Sequence, residues 1–330
     1  MAWWLIACAA LIYVMVVVGG VTRLTHSGLS IVEWQPIVGA VPPLDAAQWQ
    51  EAFDQYRKTP EYLQVNRGMT LAQFKDIFWW EYAHRLLGRL IGVVFLVPLA
   101  WFALRGRVPR ALLPRLAAIF VLGGLQGALG WYMVQSGLVD DPRVSQYRLA
   151  AHLGLAAAIY AAIVWTALDL LRAGAPRPPA PAGLRRFALA LVGIVFVMML
   201  SGALVAGIRA GLAYNTFPLM DGHVLPPESF ALEPWFRNLF SNMALVQFDH
   251  RLVAWTLAGL VPWFWVRSRR GAPSPLARRA GDALLGLFIL QIALGISTLL
   301  LRVPVPLAAA HQAGALAVLT AALVAAHALR

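Results

Sequence analysis

The sequence predicts an all-α integral membrane protein: eight transmembrane helices forming two parallel-repeat four-helix bundles, with the N and C termini cytoplasmic. Three observations predict it. First, 60% of the 330 residues are apolar and 13% charged, with a mean hydropathy of +0.68. A soluble domain cannot hide that much apolar surface. Second, eight stretches reach the roughly 20 apolar residues that a bilayer span needs. Third, charge alternates from loop to loop. Thirteen Trp suit a protein with two wet–dry interfaces to anchor.

The spans fall at about 3–21, 77–104, 112–134, 147–171, 187–208, 239–266, 280–301 and 306–328. Loop 105–115 carries Arg105, Arg107, Arg110 and Arg115, and loop 172–186 carries Arg172, Arg177, Arg185 and Arg186. Loop 267–279 carries Arg267, Arg269, Arg270, Arg278 and Arg279, and none of the three holds an acid. Loops 22–76, 135–146 and 209–238 hold nearly all the acids outside the spans, so the positive-inside rule puts both termini in the cytoplasm. The two long outer loops, rich in Trp, Pro and Gly, are expected to fold as caps.

The net charge of +12 would suggest nucleic acid in a soluble protein. Here it is confined to short loops on one side, and no nucleic-acid partner is expected. The single Cys8 excludes an intramolecular disulfide and any thiolate cluster. No amphipathic, Arg-rich presequence precedes the first span and its start lacks basic residues. A retained first helix in a bacterial inner (plasma) membrane is the expectation.

The chain is a repeat. Span 2 matches span 6 through HRL after His84 and His250, span 3 matches span 7 through LQGALG and LQIALG, and span 4 matches span 8 through LAAH and LAAAH. Spans 1 and 5 end in the Gly28-Leu29 and Gly211-Leu212 turns. This divides the chain into an N-terminal half, 1–172, a Pro-rich cytoplasmic linker, 173–186, and a C-terminal half, 187–330. With four spans each, the halves share an orientation about an axis along the membrane normal.

Four histidines occupy matching places: His84 and His152 in the first half, His250 and His311 in the second. Each lies within about one to three turns of the outer start of an even-numbered span. Ionisable residues inside membrane helices mark functional sites by default. Within a half the even spans run parallel, so each pair can face at one depth, as two imidazoles must to hold one haem iron. A polar histidine bonded across helices is the bland reading for any one of them, but four at repeated positions point to two bis-histidine haem sites. His26, His223 and His327 are expected to ligate nothing.

The repeat is broken in an informative way. Glu81 lies three residues before His84, and its counterpart before His250 is the uncharged Gln247. Residues at i and i+3 share a helix face. Site one therefore has a carboxyl suited to acid–base work and site two does not, although Glu81 could also merely pair with Arg85. Arg85 and Arg251 follow the histidines directly. They could bind haem propionates or snorkel toward headgroups.

The segments 19–44 (GGVTRLTHSGLSIVEWQPIVGAVPPL), EYAHRLLGRLIG (81–92), AGLAYNTFPLMDG (210–222), FDHRLVAW (248–255) and AAAHQAGALAV (308–318) resemble the haem A synthases, in the branch shared by mitochondria and alphaproteobacteria. The resemblance implies oxidation of the C8 methyl group of haem O to a formyl group. It implies a b-type haem cofactor on His250 and His311, substrate haem on His84 and His152, and Glu81 as the essential carboxylate. Part of the family carries a cysteine pair in the first outer loop, and this chain has none there. Expected partners are haem O, the farnesyltransferase that makes it (haem O synthase), an unidentified redox partner and membrane lipid; oligomerisation stays open. The rival readings are a bis-histidine b-type cytochrome that only transfers electrons, which needs no asymmetric carboxylate, and a parallel-repeat transporter, which needs a midplane polar site.

Overall fold

Apolar runs with few breakers become long helices whose exposed faces are themselves apolar, as lipid requires. The computed structural model describes residues 1–33, 38–138, 142, 144–174, 180–271 and 274–330. Residues 175–179 of the linker, with its Arg177, and Asp140 and Asp141 of an outer loop lie outside them. Among the described residues there is no strand, only an isolated bridge between Met220 and His223. The helices are α1 (Ala2–Leu24), α2 (Ala46–Tyr56), α3 (Pro60–Gln64), α4 (Leu71–Leu104), α5 (Leu113–Gly137), α6 (Gln146–Leu171), α7 (Ala182–Gly207), α8 (Asn238–Ser241), α9 (Met243–Gly271), α10 (Pro275–Leu300) and α11 (Val305–Ala328).

Seven of them are long and apolar enough to cross a membrane: α1, α4, α5, α6, α7, α10 and α11. The 29-residue α9 has the length but carries Gln247, Asp249, His250 and Arg251 near its start and Arg267, Arg269 and Arg270 near its end. Two boundaries differ from the sequence expectation. α4 begins at Leu71, not near 77, because Thr70 and Gln73 close a capping box, and Phe74 and Phe78 then pack into the outer cap. The stretch expected as one span from 239 is broken at Asn242, whose Oδ1 accepts from Ala244 N (2.9 Å) and Leu245 N (3.3 Å) and restarts the helix as α9.

The packing repeats as the sequence does. α1 packs on α4 and α6 as α7 packs on α9 and α11, and α5–α6 has its counterpart in α10–α11. The centre is built from α1, α6, α7 and α11, and α4–α5 and α9–α10 flank it. The halves meet where α6 packs on α7 and α11, and where α1 packs on α11. There, Tyr13 Oη donates to Ala313 O (2.8 Å), Gln312 Nε2 donates to Val16 O (2.7 Å), and Tyr160 Oη pairs with Thr320 Oγ1 (2.7 Å). Apolar helices gain little from hydrophobic association in lipid, so such bonds and the close approach at Gly20, against the Gln312 side chain, fix the register.

Both long outer loops are folded caps. In the first, Trp49, Phe53 and Tyr56 of α2 pack on Phe74 and Phe78 of α4. In the second, buried Asn238 is the hub: its Nδ2 donates to Leu232 O and Trp235 O (both 2.8 Å), and its Oδ1 accepts from Leu232 N (3.0 Å).

Candidate haem sites

His84 stands on α4, His152 on α6, His250 on α9 and His311 on α11. The fold brings them together in the expected pairs: His84 lies within electrostatic reach of His152, and His250 within reach of His311. His84 is nearly four turns into α4 rather than one to three, because the early start of α4 stands up into the cap.

Every ring rests on a glycine of a neighbouring helix. A Cβ at Gly19 would stand 2.9 Å from His84 Nε2, and one at Gly130 2.9 Å from His152 Cε1. The second half repeats this, with Gly202 3.2 Å from His250 Cε1 and Gly295 2.8 Å from His311 Cε1. A real side chain at these positions would displace the imidazole, so the glycines are the space in which the rings sit.

The LQxALG repeats supply a second contact. Gln126 Nε2 donates to His152 O (3.0 Å) and lies 3.3 Å from its Nε2, and Gln291 Nε2 donates to His311 O (2.9 Å). In both halves the Gln Oε1 and the histidine Nδ1 are buried without a partner. Buried polar atoms are rarely left so, and a group that reorients the ring on binding would give them work. Among the described residues no cluster of three or more His, Cys, Asp and Glu could hold a bare metal ion. Paired imidazoles, flanked by glycines and orphaned amide oxygens, are a donor set that fits haem.

Glu81 and Gln247 occupy equivalent places with different partners. Glu81 Oε2 accepts from Ser30 Oγ (2.7 Å) and Ile31 N (2.8 Å), and Oε1 accepts from Arg85 Nε (3.0 Å) and Nη2 (2.7 Å). Gln247 Nε2 instead donates to Ala210 O (2.6 Å), and its Oε1 accepts from Arg251 Nη2 (2.9 Å). The arginines are largely committed to the caps. Arg85 donates to Glu33 O and Ile31 O, and Arg251 to the carbonyls of Tyr214, Thr216, Pro218 and Leu219. That leaves one Nη1 hydrogen at Arg85, and the buried, unpartnered Nε of Arg251, for any propionate.

Sequence reasoning passed over Gln126, Gln291, Ser201 and Glu61. The glutamines were visible as invariants of the internal repeat. Glu61 gave no signal, yet it is buried in α3 beside Tyr56 with Oε2 unpartnered, and burial and the nearby Glu81 charge push its carboxyl up to about 8. The remaining histidines sit elsewhere: His26 against Arg209, His223 on Asp221 O, and His327 against Asp169 at the opposite ends of the helices.

A helical multi-span protein with two matched histidine pairs under folded caps defines the class. The particular family follows from comparison: the chain belongs to the cytochrome oxidase assembly proteins of the COX15-CtaA family, whose model matches residues 2–323. It is 63% identical to the haem A synthase of Nitrosospira multiformis, over 99% of this chain and 92% of that protein. It is 56% identical to that of Nitrosomonas eutropha (97% and 91% covered) and 54% identical to that of Parvibaculum lavamentivorans (96% and 90% covered).

Proposed function

We propose that this protein is a haem A synthase of the bacterial inner membrane, an oxidoreductase that converts the C8 methyl group of haem O to a formyl group. The observation that carries the reading is an asymmetry between the two matched histidine pairs: a carboxylate, Glu81, at His84 and an amide, Gln247, at His250. An electron-relay protein with two equivalent haems has no use for that difference.

His84 and His152 hold the substrate, and His250 and His311 hold a resident haem b, which when bound passes electrons to an outside redox partner. Taking a methyl carbon to the aldehyde level adds one oxygen atom, supplied by one water molecule, and releases four electrons to the redox partner together with four protons. Glu81 is the group placed to take these protons. Arg85 pairs with it, Ile31 N and Ser30 Oγ orient it, and the Ser30 hydroxyl can rotate away when a proton is taken up. The caps exclude bulk water from this reaction.

The farnesyl tail of haem O needs an apolar opening. α5 packs more sparsely on α4 and α6 than α10 does on α9 and α11, and Gly123, Gly124 and Gly127 on α5 face open space. This side of site one is the route we assign to the tail, and haem O synthase is the partner that would deliver it. α9 is the eighth crossing, both termini are cytoplasmic, and the chain divides at 173–186.

The test is Glu81→Gln against Gln247→Glu in a host that makes haem O. Glu81→Gln should keep bound haem but yield no haem A, and Gln247→Glu should still yield it. Product formed by Glu81→Gln overturns the acid–base role.

A further inference from the structure

Site two holds its α9 histidine with a hydrogen bond that site one lacks. On α7, Ser201 Oγ donates to Met198 O (2.9 Å) and stands 2.7 Å from His250 Nδ1. With the hydroxyl proton on the Met198 carbonyl, the oxygen accepts from Nδ1–H, and that arrangement selects the tautomer in which Nε2 carries a bare lone pair, the form that binds iron.

One repeat earlier, Met15 stands for Met198, Val18 for Ser201 and Gly19 for Gly202, in the register that also pairs Gly28 with Gly211. Val18 has no hydroxyl, and among the described residues nothing hydrogen-bonds the His84 ring. On the opposite side each site has a glutamine bonded to the histidine carbonyl and a glycine against its ring, Gln126 and Gly130 at His152 and Gln291 and Gly295 at His311; Gln126 alone also lies near the ring, 3.3 Å from His152 Nε2. The serine bond is the difference on the side that carries Glu81 in one site and Gln247 in the other.

We propose that Ser201 is a positioning residue that makes His250 a permanent axial ligand, and that Val18, by withholding the same bond, makes His84 the exchangeable one. The inference rests on the haem assignment above. Exchange opens an iron–Nε2 bond with the electron pair remaining on nitrogen, so no oxidant is required. An outer hydrogen bond of this kind raises the basicity of the ligand and is worth roughly 10- to 100-fold in metal affinity. A resident cofactor needs that grip. A substrate haem that must enter, react and leave is better served without it.

The test uses the full chain in detergent, purified from a host that makes haem O, with variants S201A, S201T and V18S. Haem B retained per protein after washing, its low-spin electron paramagnetic resonance signal and its midpoint potential are read for S201A and S201T. S201A should hold haem B about 10- to 100-fold less tightly, with an altered signal and a potential moved upward, because a less basic imidazole stabilises the ferric state less. S201T, which restores the hydroxyl, should match the parent protein. V18S reproduces the turn on α1, with the Met15 carbonyl taking the hydroxyl proton. It should retain more haem O and haem A on purification and turn over more slowly. Wild-type haem B retention and potential in S201A, or unchanged haem O and haem A content in V18S, overturns the inference. A parent protein with no haem B at all overturns the functional reading beneath it.

Discussion

The four histidines were legible because a repeat displays them twice, and a lone polar residue in an apolar helix is conspicuous. Their surroundings were not. Glu81 and Arg85 are neighbours on one helix turn, but the groups that lock them, Ser30, Ile31 and Glu33, come from about fifty residues away in a cap whose path the sequence does not reveal. Ser201 reads as one small residue in an apolar run, and only the packing of α7 on α9 places its hydroxyl at His250. The glycine contacts give a sharp prediction. G295A sets a methyl group 2.8 Å from the His311 ring, overpacking of a kind that destabilises by about 1–3 kcal/mol, and should deplete the b-type absorbance of the purified protein. G286A on the same helix meets open space and should leave the spectrum intact. Loss of His250 or His311 should abolish that absorbance, and an unchanged spectrum in both variants contradicts the cofactor assignment.

Helix positions were legible from hydropathy, and helix ends only in part, because caps and not apolarity set them. The shift of the α4 start follows from Thr70 and Gln73 and from aromatic packing with α2. The break before α9 follows from Asn242, a residue that a hydropathy window averages away. Replacing it (N242A) removes the acceptor for Ala244 N and Leu245 N and should destabilise the folded chain by about 0.5–2 kcal/mol in thermal unfolding. The first cap carries a pH dependence. The Glu61 carboxyl, ordinarily near 4.5, is raised to about 8 by burial and then by the Glu81 charge, against a hydrogen bond from Tyr56. The folded state thus holds this proton more tightly than the unfolded chain. The stability it contributes is full below about 4.5 and is lost as pH rises to about 8, at up to about 1.4 kcal/mol per pH unit. E61Q should flatten that loss when thermal stability is followed from pH 5 to 8.5; equal slopes for both proteins contradict it.

One packing plan, used twice, gives two matched histidine pairs. The copies diverge at Glu81 and Gln247 and at Val18 and Ser201, and we place the chemistry at the pair beside Glu81. The fold class was legible because lipid leaves few alternatives for backbone hydrogen bonding. The contacts between halves were not, since Tyr13, Gln312 and Tyr160 look like ordinary helix residues until the halves meet. The other end of the molecule is tied by Asp169, which accepts from Arg115 (2.9 Å) and Arg330 (2.6 Å) and faces His327 (2.9 Å), linking α5, α6, α11 and the chain end. The loops described at that face hold twelve arginines, so a fluorescent reporter fused to the C terminus should light in the cytoplasm and a periplasmic phosphatase reporter should stay inactive. The reverse pattern contradicts the orientation.

The decisive experiment is extraction of haem from cells that make haem O but no haem A, before and after this chain is expressed, with separation by chromatography and mass detection. Haem A, or its hydroxymethyl precursor, should appear only with the chain present. Haem B bound to fully expressed protein with haem O left untouched would contradict the synthase reading and leave a cytochrome that only moves electrons.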